Sequence, residues 1–222
     1  KDRGDGIMKD LARVQKRAPQ RISDMRVALD DREVDAVVIA TPEHWHALAT
    51  VMACQAGKDV YVEKPVSHNV WEGRQIVAAA RKYGRIVQTG TQSRSNPGLR
   101  DAIAWLHEGN LGKIQVARGL CYKPRQSIGN VTAPTQVPDH INYDLWCGPS
   151  PLKPLMRSKL HYDWHWQFIT GNGDLGNQGI HQMDIARWAL GVSTLSPKVF
   201  SVGGRLGYQD NGDTPNSQFV YH

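Results

Sequence analysis

The chain has 222 residues, of which 22% are charged and 40% hydrophobic, and its formal net charge is +6. That length is sufficient to bury a core, and no apolar run approaches the roughly 20 residues that a membrane-spanning helix needs. The basic residues are dispersed and form no nucleic-acid-binding motif, so the positive charge suits the phosphates of a nucleotide. Cys54, Cys121 and Cys147 form no CxxC pair, which argues against a disulfide scaffold or a structural zinc site and favours a reducing compartment.

Short extended and helical segments alternate through the first 90 residues. Continuous apolar runs predict strands, and helical spacing predicts helices between them. Gly57 and Gly84 follow the two helices, where a left-handed C-cap favours glycine. The alternation predicts a Rossmann-like parallel sheet, with strands at 37–40, 59–62 and 86–89 and helices at 45–55 and 70–83.

The pattern changes after residue 90. It predicts a helix at 97–108, longer strands at 113–122 and 198–206, and a surface excursion at 127–154 that is rich in Pro, Gly, Asn and Asp. We therefore expect two domains, 1–93 of the dinucleotide-binding type and 94–222 of a sheet-rich α/β type. The first residues resemble the middle of a domain and the last resemble an interrupted strand, so we expect both domains to be truncated.

A literal G-x-G-x-x-G occurs at Gly171, Gly173 and Gly176 in the stretch GNGDLGNQGIHQMD. A dinucleotide fingerprint follows a buried strand and has an acidic residue about 20 positions further on. The preceding DWHWQFIT is not an aliphatic strand, and no Asp or Glu lies between Asp184 and Asp210. We therefore expect this loop not to bind a dinucleotide.

Two motifs, ATPEHWH at 40–46 and EKP at 63–65, lie just past the ends of predicted parallel strands. Ligands bind at this edge of an open α/β sheet, because the loops diverge there and helix N-termini point inward. Lys64, beside an acid and fixed by a following proline, is suited to meet a substrate hydroxyl. A surface lysine in a turn is the alternative, and its position after the strand favours the functional interpretation.

These motifs resemble those of the Gfo/Idh/MocA oxidoreductases. VDAVVIATPEHWHA resembles the family's strand and T-P-x-x-x-H loop, VYVEKP its E-K-P motif, and GNQGIHQMDIARW its second-domain catalytic helix. The resemblance implies a Rossmann domain, an α/β domain with a large, open, mostly antiparallel sheet, and NAD or NADP between them. The family's own glycine loop lies on the first strand-to-helix turn, which we expect to be missing here together with its strand.

A helix that begins near Gln178 places three polar groups on one face, namely Asn177, His181 and Asp184. A neutral His181 can accept the proton of a carbinol, and Lys64 can stabilise the developing negative charge on the same oxygen. A satisfied buried histidine is the alternative for His181, and the family resemblance favours catalysis. Many relatives resembling inositol dehydrogenase carry Asp where this chain has Asn177, which leaves the proton relay and the polyol specificity open.

Residues just past the predicted strands are expected to line the cofactor. Arg94, just past Thr89, is expected at the cofactor end of the cleft, and a solvated arginine is the alternative. The aromatic residues near 165 form either core or a wall for a sugar. No Glu or Cys completes a metal set with the paired histidines at 44 and 46 or at 161 and 165, so we assign no metal site. The cofactor residues are Thr41, Pro42, His44, His46, Glu63, Lys64 and Arg94, and the substrate residues are Asn177, Asp184, Trp164, His165 and Trp166.

The sequence thus predicts an NAD(P)-dependent dehydrogenase that transfers a hydride from a carbohydrate or polyol hydroxyl. An NAD-assisted glycoside hydrolase and a non-catalytic sugar-binding protein are alternatives on the same fold, and a metal hydrolase that uses the histidines is a third. The resemblance implies a homo-oligomer, and we expect a cytoplasmic protein, with periplasmic export left open because a leader would precede the observed start. Neither nucleic acid nor membrane is expected as a partner.

Overall fold

The computed structural model describes residues 3–16 and 19–222. The chain divides into two compact units, Lys1–Val34 and Asp35–His222. The first unit contains helices α1 (Arg3–Val14) and α2 (Met25–Asp30). Asp24 caps α2, because its carboxylate accepts a hydrogen bond from the amide of Arg26 at 2.9 Å.

A three-stranded parallel sheet in the order β1-β2-β3 begins the second unit. Apolar side chains bury the central strand, with Val60 3% and Val62 0% exposed. The helices after β1 and β2 are crossover connections of a Rossmann-like sheet, so the sequence prediction is confirmed. The elements are β1 (Ala36–Ile39), α3 (His46–Gln55), β2 (Asp59–Glu63), α4 (Val70–Tyr83) and β3 (Val87–Gly90).

Caps fix the ends of these helices. The Asn69 side chain accepts the Glu72 amide at 2.9 Å where α4 begins, and Gly84 ends α4 with a φ of 60°. Gly57 follows α3 with a φ of 76°. Both predicted glycine positions are therefore confirmed as left-handed backbone.

The remaining residues form an α/β region with a two-stranded antiparallel sheet within the described residues. Its helices are α5 (Pro97–His107), α6 (Tyr143–Cys147) and α7 (Ile180–Ala189), and its strands are β4 (Phe200–Gly204) and β5 (Ser217–Tyr221). The segment 127–154 is irregular as predicted, except for α6, which Asn142 caps by accepting the Leu145 amide at 3.0 Å. The predicted division at residue 93 lies inside the second unit and stays a prediction.

The predicted strand at 113–122 is wrong. The segment has no regular structure, because none of the described strands pairs with it. It runs beside α7 instead: a Cβ on Gly119 would lie 2.7 Å from the main chain of Gln182. Among the residues that the structure describes, no helix is long and apolar enough to cross a membrane.

Candidate active site

The loops after β1 and β2 are joined by one buried histidine. His46 is 2% exposed, with Nδ1 2.6 Å from the Pro65 carbonyl and Nε2 2.9 Å from the Thr41 carbonyl. The Lys64–Pro65 peptide that follows β2 is cis. His46 therefore fixes the TPEHWH loop against the EKP loop, and both of its ring nitrogens are engaged with main chain.

His44 holds the same loop against the second half of the chain. Its Nε2 lies 2.9 Å from the Trp146 carbonyl and its Nδ1 3.3 Å from the Thr170 carbonyl. Burial lowers the pKa of His44, although the two carbonyl contacts oppose that shift. His44 and His46 are therefore buried residues that hold the loop in place through main-chain contacts. Cofactor contact by either residue remains a prediction.

Glu63 and Gly90 define the edge of the sheet at this loop. The two residues are register partners in β2 and β3. A Cβ on Gly90 would lie 2.9 Å from Glu63 Oε2 and 3.1 Å from Glu63 Cα. Glycine at 90 is therefore required if the Glu63 side chain is to keep its place over the strand end.

Lys64 reaches from the β2 loop to the turn that precedes α7. Its ammonium group donates a short hydrogen bond to the Asn177 carbonyl, and Asn177 Oδ1 lies 3.5 Å away. Asn177 belongs to the π-helical turn Leu175–Gly179, which runs directly into α7. Two motifs 113 residues apart in sequence thus meet at one point.

His181 lies in the first turn of α7 and is half-buried. Burial and the charge of Lys64 lower its pKa, while Glu63 opposes the shift. An imidazole with a lowered pKa is predominantly neutral near pH 7. His181 is therefore in the protonation state that accepts a proton.

Arg94 and Asp184 form an ion pair with each other. Arg94 donates to both Asp184 oxygens, at 2.8 Å from Nε and 2.8 Å from Nη2. The guanidinium also lies 5.1 Å from the centre of the Trp188 ring. The predicted cofactor residue and the predicted substrate residue therefore tie the segment after β3 to α7, and ligand contact by either stays a prediction.

A second ion pair, absent from the sequence prediction, supports Asn177. Arg125 donates to the Asp174 carboxylate at 2.9 and 2.8 Å and to the Tyr162 hydroxyl at 3.3 Å. The Asn177 amide donates to Asp174 at 3.3 Å and lies 3.4 Å from the Tyr162 hydroxyl. Tyr162 has a φ of 67°, an uncommon conformation for a residue other than glycine. Neither the pairing over 49 residues nor the positive φ has a local sequence signal.

The aromatic segment 163–166 is a 3-10 turn that is packed into the core. His165 is 1% exposed and Trp166 2%, whereas Trp164 keeps part of its surface. The Arg205 guanidinium lies 4.7 Å from the Trp166 ring. Trp164 is therefore the member best placed to meet a substrate, and the sugar-binding roles of all three remain predictions.

The glycine-rich loop at 171–176 follows a turn rather than a strand. A Cβ on Gly171 would lie 2.3 Å from His165 Cα, and Gly173 has a φ of 64°. These glycines thus allow close packing and a left-handed backbone.

No group of three or more His, Cys, Asp or Glu side chains in the described part of the chain could hold a metal ion.

Comparisons with known proteins identify the family. Residues 9–91 match the model of the oxidoreductase family with an NAD-binding Rossmann fold, and residues 108–214 match the model of its C-terminal alpha/beta domain. The chain therefore belongs to the Gfo/Idh/MocA oxidoreductase family.

Two curated relatives show the degree of similarity. Levoglucosan dehydrogenase of Pseudarthrobacter phenanthrenivorans is 29% identical over 180 residues, which is 81% of this chain and 39% of that protein. An uncharacterised oxidoreductase of Bacillus subtilis, YrbE, is 34% identical over 184 residues, 83% of this chain and 43% of that protein. The chain thus spans about two-fifths of the length of these relatives.

Solved structures share the fold. Levoglucosan dehydrogenase in complex with NADH and levoglucosan matches with a TM-score of 0.66 and 22% identity, over 97% of this chain and 51% of that one. The WlbA dehydrogenase of Bordetella pertussis, in complex with NADH and UDP-GlcNAcA, matches with a TM-score of 0.65 and 19% identity, over 99% of this chain and 55% of that one.

Proposed function

We propose that the protein is an NAD(P)-dependent dehydrogenase that oxidises a hydroxyl group of a sugar or polyol. The observation that carries this proposal is the meeting of Lys64 with the Asn177 turn that leads to His181. The Lys64 charge also acts on His181, since it helps to lower the pKa of that histidine. Relatives named as levoglucosan and inositol dehydrogenases support the substrate class.

The residues at the sheet edge fit a nicotinamide cofactor. Thr41 is exposed and Glu63 is half-buried at the carboxyl ends of β1 and β2, and they offer a hydroxyl and a carboxylate to ribose hydroxyls. We propose that Thr41, Pro42 and Glu63 line the cofactor, with Arg94 near its end. When bound, NAD or NADP supplies the acceptor for the hydride.

The two proposed catalytic residues, His181 and Lys64, have different roles at the substrate oxygen. His181 accepts the hydroxyl proton, and a neutral imidazole is the form able to do so. The Lys64 ammonium donates a hydrogen bond to the same oxygen and stabilises its developing negative charge. Asn177 holds the ammonium and orients a neighbouring hydroxyl, since an amide cannot replace a carboxylate as a base.

We also propose the domain division 1–93 and 94–222, a cytoplasmic location and a homo-oligomer. Support for the oligomer comes from β4 and β5, where Phe200, Val202, Phe219 and Tyr221 form cross-strand pairs and are 56–67% exposed. Apolar faces of this kind mark association surfaces. Light scattering of the purified protein tests the assembly, and a monomer at all concentrations would contradict it.

Absorbance at the reduced-nicotinamide band tests the activity. The protein at its full natural length is mixed with NAD or NADP and a panel of sugars and polyols. We expect net reduction of the cofactor with at least one of them. Hydrolysis of a glycoside without net reduction would indicate the NAD-assisted hydrolase, and sugar binding without any change in the cofactor would indicate a binding protein.

A further inference from the structure

Glu43 is a buried acid that the proposed chemistry does not use. It begins the 3-10 turn Glu43–Trp45, directly after β1 and its short loop. The residue is 0% exposed, and neither carboxyl oxygen has a hydrogen-bond partner among the described residues. Buried polar groups are almost always satisfied, so this exception requires an explanation.

The contacts of its neighbouring histidines place Glu43 close to the EKP loop. His44, which follows Glu43 in the chain, contacts the Thr170 carbonyl. His46, three residues after Glu43, contacts the carbonyl of Pro65, the residue after Lys64. Glu43 is thereby enclosed between the EKP loop and the segment that follows residue 170. The main-chain amide of Asn172 and the Lys64 ammonium are the groups that favour a negative charge on it.

Burial dominates these effects. It raises the pKa of Glu43 to about 8, although the Asn172 amide and the Lys64 charge oppose the shift. The carboxyl group is therefore neutral near pH 7 and does not compete for the ammonium group. The Lys64 ammonium group bonds to Asn177, and neither Glu43 oxygen accepts a hydrogen bond from it.

We propose that Glu43 is a positioning residue for Lys64: its neutral carboxyl group leaves the ammonium group on Asn177 and available to the substrate oxygen, whereas its ionised form draws the ammonium group away. This role rests on the function proposed above. The titratable groups on the enclosing segments are Glu63, Lys64 and His68 from the EKP loop and the residues after it, and His44 and His46 from its own loop. The segment 170–172 contributes only main chain and Asn172, which does not titrate.

The first test is the pH dependence of kcat/KM for wild type and Glu43→Gln, which keeps the shape and stays neutral. We expect the variant to lie within about threefold of wild type at about pH 7, because both side chains are neutral there. At about pH 9 we expect wild type to fall about tenfold below its maximum, with a midpoint near 8, and the variant to lack that fall. Glu33→Gln, at an exposed site, is the matched control and should keep it. A fall near pH 8 that persists in Glu43→Gln, or one that wild type lacks, would overturn the proposal.

Infrared titration provides a readout that does not depend on activity. We expect wild type to show a protonated carboxyl band at about pH 7 that disappears with a midpoint near 8. In Lys64→Met the midpoint should move upward, because the ammonium charge that favours ionisation is gone, and this test remains available if Glu43→Gln does not fold. An unchanged midpoint would show that Glu43 does not act on Lys64. A shifted midpoint in a protein that oxidises no sugar would retain the Glu43–Lys64 interaction and reject the dehydrogenase function instead.

Discussion

Two acidic side chains in this chain are buried, and they differ in the hydrogen-bond donors that surround them. The Asp210 side chain is 0% exposed, and it accepts hydrogen bonds from Nε and Nη2 of Arg205, from the Ile128 amide at 2.8 Å and from the Gly212 amide at 2.9 Å. Glu43 is 0% exposed as a whole residue and has no hydrogen-bond partner among the described residues. Burial alone therefore does not separate a structural acid from a functional one, and the supply of partners does.

The pKa values express the same contrast. Burial would raise the pKa of Asp210, but the Arg205 hydrogen bonds and the two amides outweigh it and lower the pKa to about 2. For Glu43 the effect of burial outweighs the opposing effects of Asn172 and Lys64, and the pKa rises to about 8. Asp210 in its ionised form thus stabilises the fold, whereas Glu43 costs stability wherever the unfolded chain would ionise it. A destabilising acid that interacts with the charge of Lys64 is expected at a functional site.

The largest effect is expected from the variant that removes the charge of Asp210 from its ion pair with Arg205. Asp210→Asn removes the charge that compensates Arg205, whose side chain is 11% exposed. We expect the free energy of unfolding at neutral pH to fall by about 3–5 kcal/mol, the range for a buried pair that loses one partner. Denaturant unfolding measures it, with exposed Asp101→Asn as the control. A loss no greater than that of the control would show that Asp210 is not structural.

Lys64→Ala is expected to affect turnover rather than stability. The ammonium group would stabilise charge on the substrate oxygen, so we expect kcat to fall by about 10²-fold or more, equivalent to about 2.7 kcal/mol, with only a small loss of cofactor affinity. Steady-state kinetics and a cofactor titration measure the two quantities. Lys113→Ala, at an exposed position, serves as the control. Unchanged turnover would remove Lys64 from the mechanism.

His181→Ala is expected to change the acid side of the pH profile. The pKa of His181 is lowered, and only the neutral ring accepts a proton, so wild-type oxidation should decline as the pH falls below that pKa. The variant should lose about 10²-fold in kcat near neutrality and show no such decline. An identical pH profile in wild type and variant would exclude His181 as the base.

Glu43→Gln is expected to give the smallest effect, and in the opposite direction to Asp210→Asn. The folded pKa of Glu43 is raised, so its full contribution to stability is present below the unfolded pKa and is lost as the pH rises through the folded value of about 8. The variant should therefore gain on wild type as the pH rises from about 4.5 to 8, because only folded wild type holds the extra proton there. The cost of the unpaired Gln amide is the same at every pH, and it keeps the net difference between the two proteins small. Unfolding at several pH values measures this difference. A constant difference across that range would show that Glu43 is not held neutral in the fold.

The sequence predicts most of the first sheet because its signals are local. The predicted helix at 70–83 matches α4 residue for residue, and the three strands match to within one residue at each end. Apolar runs and glycine C-caps suffice for these elements. The strand predicted at 113–122 fails because strand formation depends on a partner, which alternation within one segment does not reveal.

The sequence predicts less of the candidate site than of the sheet. The family resemblance predicts that Lys64 and His181 act on one substrate oxygen, but it does not predict the contact between Lys64 and Asn177. The burial of Glu43 has no sequence signal, because a glutamate in a loop is typical of an exposed position. The same holds for the Arg125–Asp174 pair, which exists only once the fold brings the two residues together.

Deuterium transfer tests the proposed hydride chemistry most directly. A sugar or polyol that the protein turns over is labelled with deuterium on the carbon that bears the reacting hydroxyl, and the nicotinamide is analysed by mass spectrometry after a single turnover. We expect the deuterium on the reduced nicotinamide, with its rate of appearance about 10²-fold slower in Lys64→Ala. Product that forms while the nicotinamide stays unlabelled would contradict the dehydrogenase function.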